Sequence, residues 1–168
     1  LLDLRKSFSK ERILYLNLSD LYFKNKALEK GIVILKEGIK IFPNFVPLRF
    51  NLAVMYRNMG LLKLSVETHI EILLKEKLNS NSFYELSTMY DFSNHNDQLK
   101  TLLNIEIENL SQKEKIYFCY SKANAYHNNK DYKKSAYFLK IANDEKLKIQ
   151  PSDTVSYTHL RAHETHTN

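Results

Sequence analysis

Four short tracts, "LSDLYFKNK", "LAVMYRNMG", "LSTMYDFSN" and "KANAYHNNK", align on a shared tyrosine. Their tyrosines Tyr22, Tyr56, Tyr90 and Tyr126 are 34, 34 and 36 residues apart. A near-constant interval of this size means one supersecondary unit repeated along the chain, each copy burying its apolar face against the next. Other positions hold the same phase. Three residues before each tyrosine stands a small residue, Ser19, Ala53, Ser87 or Ala123. Nine residues after it stands Gly31, Ser65, Leu99 or Ser135, small in three of four. Small residues at two fixed points let paired helices approach closely, while larger apolar groups fill the space between copies.

Composition makes the repeating unit helical. Only three Gly and three Pro occur among 168 residues, too few turn signals for a hairpin-rich β-protein. Pro43 and Pro47 bracket the first link, since each resists helix continuation and suits a helix start. "SQKE", Ser111 to Glu114, has capping-box spacing and marks the first helix of the fourth copy. The two extra residues of the 36-residue interval fall just before it, in "ENLSQ".

These features resemble the tetratricopeptide repeat family, whose period is about 34 residues, over residues 12 to 149. The family's turn glycine appears as Gly60, its "DY" after the turn as Asp131 and Tyr132, and its closing proline as Pro43. The third copy departs most, lacking the glycine and carrying Leu99. The expected fold is all-α, a right-handed superhelical stack of about four antiparallel helix pairs. Residues 1–11 are expected to be the remnant of a preceding helix or repeat. The repeats are expected at 12–45, 46–79, 80–115 and 116–149, with 150–168 as a tail. The last second helix is expected to expose Phe138 or Ile141.

The resemblance implies a concave groove, lined by the first helix of each pair, that holds a partner protein or peptide segment. The candidate groove residues are Leu16, Asp20, Phe50, Arg57, Tyr84, Thr88, Tyr120, Asn124 and His127. They mix aromatic surface with hydrogen-bonding groups, which suits an extended peptide. Members that bind chaperone tails clamp a terminal carboxylate with lysine, asparagine and arginine. Here Leu16 and Asp20 occupy corresponding places, which disfavours that ligand.

The net charge of +6 is spread along the chain and interleaved with Glu, as in "KEGIKIF". That reads as solvated helix faces rather than a nucleic-acid surface. No apolar run reaches the roughly 18 residues of a membrane span. The first residues, "LLDLRKSF", lack the order of a signal peptide. One cysteine, Cys119, allows no intrachain disulfide and agrees with a cytoplasmic location.

No phosphate loop, nucleophile motif or cofactor signature is present, so this stretch of chain is expected to be non-catalytic and to hold no cofactor or metal. Cys119 is expected half-buried near a helix start, and His69 and His95 are expected to be structural. His159, His163 and His166 could share a helix face beside Glu164. Their string, "VSYTHLRAHET", resembles translated library adaptor, so the tail from about Thr154 is expected to be non-native.

A narrower resemblance concerns the fourth copy alone. Tyr117, Phe118, Lys122, Ala125 and Tyr126, then Asp131, Tyr132 and Ser135, then Ala142, Asn143, Leu147 and Lys148 are similar to the last repeat preceding the catalytic domain in bacterial repeat-linked sulfotransferases. That likeness implies an alternative to the interaction scaffold: the N-terminal arm of a sulfotransferase whose catalytic domain lies outside this sequence.

Overall fold

A computed structural model describes residues 2–89 and 96–149 of the chain. Among them are eight α-helices: α1 (Leu2–Lys24), α2 (Leu28–Ile41), α3 (Val46–Asn58), α4 (Leu62–Lys75), α5 (Ser80–Met89), α6 (Asn96–Asn104), α7 (Gln112–Asn128) and α8 (Tyr132–Ile149). They fall into two compact units that divide between Asp91 and Phe92. The division lies in the third copy, where the sequence departs most from the repeat.

In the first unit α1 pairs with α2, α3 with α4, and α2 also packs on α3. The core between the first two hairpins is Ile32, Leu35, Leu48, Leu52, Met55 and Tyr56, flanked by Tyr15, Leu16, Ile39 and Phe42. The small residues sit where the sequence requires them. Ser19, Ala53 and Ser87 are buried, and the Ser65 hydroxyl donates to the Ala53 carbonyl across the α3/α4 hairpin at 2.8 Å. A Cβ on Gly31 would come within 2.6 Å of the Met55 thioether. A Cβ on Gly38 would lie 2.9 Å from the Tyr15 ring and 3.1 Å from Leu48, a longer approach than at Gly31 but against a ring, which cannot swing aside as a thioether can.

The turns repeat as well. Lys26, Gly60 and Lys130, each four residues after its repeat tyrosine, have φ of 58°, 75° and 60°. In each, the next amide donates to the tyrosine carbonyl: Ala27 to Tyr22, Leu61 to Tyr56 and Asp131 to Tyr126, all at 2.9 Å. This is a Schellman ending, which wants a left-handed residue just past the helix. Only the second copy supplies glycine.

In the second unit α7 pairs with α8 and contacts α6. Ser111 caps α7: its hydroxyl accepts from the Glu114 amide and the Glu114 carboxylate accepts from the Ser111 amide. Ala123 and Ala142 are buried, and Tyr126 stacks flat on Phe138 at 5.6 Å. Lys122 is buried although it stands in phase with Leu18, Leu52 and Leu86. Its ammonium donates to the Ile105 carbonyl at 2.6 Å and the Leu103 carbonyl at 3.2 Å and lies 5.2 Å from the Phe138 ring. Burial pulls its pKa below the ordinary lysine value. Carbonyls at and beyond the end of α6 have no helical partner, and this lysine satisfies two of them.

Several expectations need correction. Residues 2–11 run without a break into α1, one 23-residue helix. The fourth hairpin starts at Gln112, because the capping box fixes the helix start there, so residues 112–115 belong with it. Cys119 is fully buried in the middle of α7, not half-buried near its start, and burial pushes its thiol up to about 11, which makes it unreactive. On α8, Phe138 and Ile141 are half-buried against the rest of the unit, while Tyr137, Leu139, Leu147 and Ile149 are exposed. Tyr90, His95 and the histidines of the tail lie outside the described residues.

Two substitutions test the turn chemistry without touching any contact. A Cβ on Gly60 meets nothing within 4 Å, so Gly60→Ala isolates backbone strain and should destabilise by about 1 kcal/mol. Lys26→Gly should stabilise by about 0.5 kcal/mol, since relief of strain exceeds the added chain entropy. Urea unfolding of the variants measures both; equal midpoints for Gly60→Ala and the parent would contradict the left-handed assignment. For the buried lysine, Lys122→Ala should cost about 2–3 kcal/mol by leaving two carbonyls unsatisfied, read in the same experiment.

Candidate functional site

The candidate groove residues lie on first helices: Leu16 and Asp20 on α1, Phe50 and Arg57 on α3, Tyr84 and Thr88 on α5, and Tyr120, Asn124 and His127 on α7. They divide between the two units, the first six in one and the last three in the other.

In the first unit successive first helices are joined by polar bridges. The Asn51 amide donates to the Asp20 carboxylate at 3.1 Å and to the Ser19 hydroxyl at 3.3 Å, tying α3 to α1. Arg57 donates to the Glu85 carboxylate in an ion pair that ties α3 to α5. Both bridges lie at exposed positions and leave Asp20 and Thr88 open to solvent. Such pairs add little stability, but they fix the spacing of the helices. Arg57 is therefore committed to Glu85 and not a free cation for a ligand.

The aromatic candidates have mixed roles. Phe50 is half-buried, its ring edge-on to His69 of α4 at 5.5 Å, and Leu16 packs on the core between the hairpins. Both are structural at least in part. Tyr84 is half-buried on α5. In the second unit the Tyr120 hydroxyl donates to Asn143 of α8 at 2.7 Å, and exposed His127 meets the Tyr132 ring edge-on at 5.4 Å. Asn124 is half-buried on α7.

Asn51 and Glu85, the bridging residues, were not among the candidates. A signal for them exists: the position five before each tyrosine holds Asn17, Asn51, Glu85 or Ser121, polar in every copy. Nor does periodicity mark the cleft of about 360 Å³ that opens among α2, α3 and α4, floored by Leu52 and Tyr56. Lys36, Lys40 and Arg49 line one side of it and Glu67 and Glu71 the other, with Arg49 and Glu71 at 3.9 Å. Three basic side chains face two carboxylates across it, so the opposed charges largely cancel and a single net positive charge remains.

His69 is fully buried. Its Nδ1 lies 3.3 Å from the Ser82 hydroxyl of α5, and its Nε2 has no protein partner. Burial first, and the Arg57 charge second, lower its pKa to about 4, so the ring is neutral at pH 7. Among the described residues no three His, Cys, Asp or Glu side chains converge as a metal site, and no helix is long and apolar enough to cross a membrane.

The family model of the tetratricopeptide repeat matches residues 14–45, the first hairpin. The solved structure titled "MamA MSR-1 C2" superposes with a TM-score of 0.51 at 17% identity, covering 80% of this chain and 76% of that one. The fold is a tetratricopeptide-type helical repeat. At that identity the likeness shows the fold alone. No curated protein matches the chain, and these matches lend nothing to the sulfotransferase-linked likeness.

The His69 ring carries a pH dependence whose sign is fixed. The unfolded imidazole takes a proton below about pH 6.5, the folded one only below about 4. Between these values the unfolded chain holds the extra proton, so stability present above pH 6.5 is lost as pH falls. The loss attributable to this residue should approach about 3 kcal/mol by pH 4. His69→Leu, which installs the residue that the first copy carries in phase as Leu35, should flatten that part of the profile. Chemical denaturation at stepped pH is the measurement, and an unchanged slope in the variant would rule out His69 as its source.

Proposed function

We propose that the chain is a non-catalytic interaction scaffold that binds an extended protein segment along the first helices of its hairpins. The observation that carries this reading is the bridged array of α1, α3 and α5. Asp20–Asn51 and Arg57–Glu85 set the helix spacing, and exposed Asp20 and Thr88 with half-buried Asn51 and Tyr84 offer hydrogen-bonding groups beside one aromatic ring. A peptide backbone needs donors and acceptors at short intervals, and its side chains need apolar shelves. Pairing of Arg57 with Glu85 disfavours a partner held by a lone carboxylate. In the second unit, taken by itself, Tyr120, Asn124 and His127 hold the corresponding sequence positions on α7.

The reading fits a tetratricopeptide-type fold and a cytoplasmic protein that holds no cofactor and contacts neither nucleic acid nor membrane. It assigns no role to the cleft among α2, α3 and α4.

The test is selection of binders from a random peptide display library, followed by hydrogen exchange of the selected complex. Protection should map to α1, α3 and α5. Asp20→Ala combined with Thr88→Ala, both at exposed positions, should weaken the selected peptide at least tenfold, about 1.4 kcal/mol, with the helical signal unchanged. Protection confined to α2 and α4, or undiminished affinity in the double variant, would overturn the assignment.

A further inference from the structure

The cleft among α2, α3 and α4 shares no residue with the groove along the first helices, and contacts within the chain leave much of its charge unpaired. Lys36 and Lys40 stand one helical turn apart on α2, and Glu67 and Glu71 one turn apart on α4. Like charges at this spacing repel, so each pair costs its own helix some stability. The two pairs line opposite walls of the cleft, whose volume is about 360 Å³. Glu71 is drawn to Arg49 at 3.9 Å, and the Arg49 guanidinium also donates to the Pro43 carbonyl. Among the described residues Lys36, Lys40 and Glu67 make no ion pair. The surface between them is apolar. Leu52 and Tyr56, each 7% exposed, form the floor, and the Lys36 ammonium stands 5.8 Å from the centroid of the Tyr56 ring.

We infer that this cleft binds a small zwitterion whose carboxylate and ammonium are joined by an aliphatic stem, the chemistry of an ω-amino acid or of a C-terminal lysine. The carboxylate sits between Lys36 and Lys40 and relieves their repulsion, the stem lies on Leu52 and Tyr56, and the ammonium meets Glu67. A ligand with a carboxylate alone leaves Glu67 unpaired, and one with an ammonium alone leaves both lysines so. Only a molecule carrying both charges at opposite ends is attracted by both walls. Burial of the stem against Leu52 and the Tyr56 ring adds an apolar contribution and thins the water around the charged ends. The volume matches the small end of ligand pockets and suits one such molecule, not a partner helix. A free amino acid and the last residue of a protein present the same two groups, so the cleft's chemistry accommodates either source.

Chemical-shift titration of the isotope-labelled full chain with ε-aminocaproate tests this. Amides around Lys36, Tyr56 and Glu67 should shift and saturate with a Kd of about 1 mM, in keeping with so small a ligand. Hexanoate and hexylamine, each lacking one of the two charges, should bind at least tenfold more weakly. Glu67→Gln and Lys40→Gln, both at exposed positions, should each weaken ε-aminocaproate about fivefold with the helical signal unchanged, and sodium chloride should weaken it in the parent. A peptide ending in lysine, set against the same peptide amidated at its C-terminus, separates the two sources. If the free-acid peptide binds more tightly than ε-aminocaproate, the cleft takes a protein's C-terminal lysine; if less tightly, it takes a free zwitterion. Hexanoate or hexylamine binding as well as ε-aminocaproate, shifts confined to other helices, no saturation at ten times the expected Kd, or variants that bind like the parent would each overturn the proposal.

Discussion

The close approach of two helices within each hairpin is the constraint from which the remaining packing follows. Ser65 reaches the backbone of Ala53 at 2.8 Å, and a Cβ on Gly31 would lie 3.4 Å from the Tyr22 Cβ on the other helix of its hairpin. In the first two hairpins this separation is met by Gly, Ala or Ser, and larger apolar residues lie at the interface between hairpins, where Leu35, Leu48, Leu52 and Met55 form the core. Serine on the first helix of a pair keeps its hydroxyl satisfied within that helix: Ser19 donates to Leu16 and Ser87 to Tyr84, each at 2.7 Å.

Where a copy departs from the pattern, a polar group compensates. Lys122 occupies an aliphatic position and gives its ammonium to two carbonyls of the segment after α6. His69 occupies the position of Leu35 and remains neutral, half-satisfied by Ser82. A neutral imidazole costs less to bury than a charged one, and a buried ammonium persists only with acceptors in place. Each stands beside a neighbour that can partner it, Ser82 of α5 for His69 and the carbonyls at the end of α6 for Lys122.

The same repetition shapes the surface. Polar residues five before each tyrosine become bridges wherever a neighbouring first helix supplies a partner, as Asn51 and Glu85 do. Apolar residues at the stacking positions become core wherever a hairpin covers them. One sequence pattern thus yields buried core or interhelical bridge according to what stands beside it.

The period, the small residues and the turn signals were legible in the sequence because each expresses a local or nearest-neighbour requirement. A Schellman ending, a capping box and a crowded helix pair recur at fixed offsets and reveal themselves by counting. That much determined an all-α helical repeat and the helices that carry Asp20, Arg57, Tyr84 and Tyr120. Only the tertiary structure decided that Arg57 is spent on Glu85, that Phe50 leans on His69, that Lys122 is buried, and that α1 is one long helix reaching back to Leu2. These depend on which side chains from distant copies meet, and the energy of such a meeting resides in the pair, not in either residue's own place along the chain.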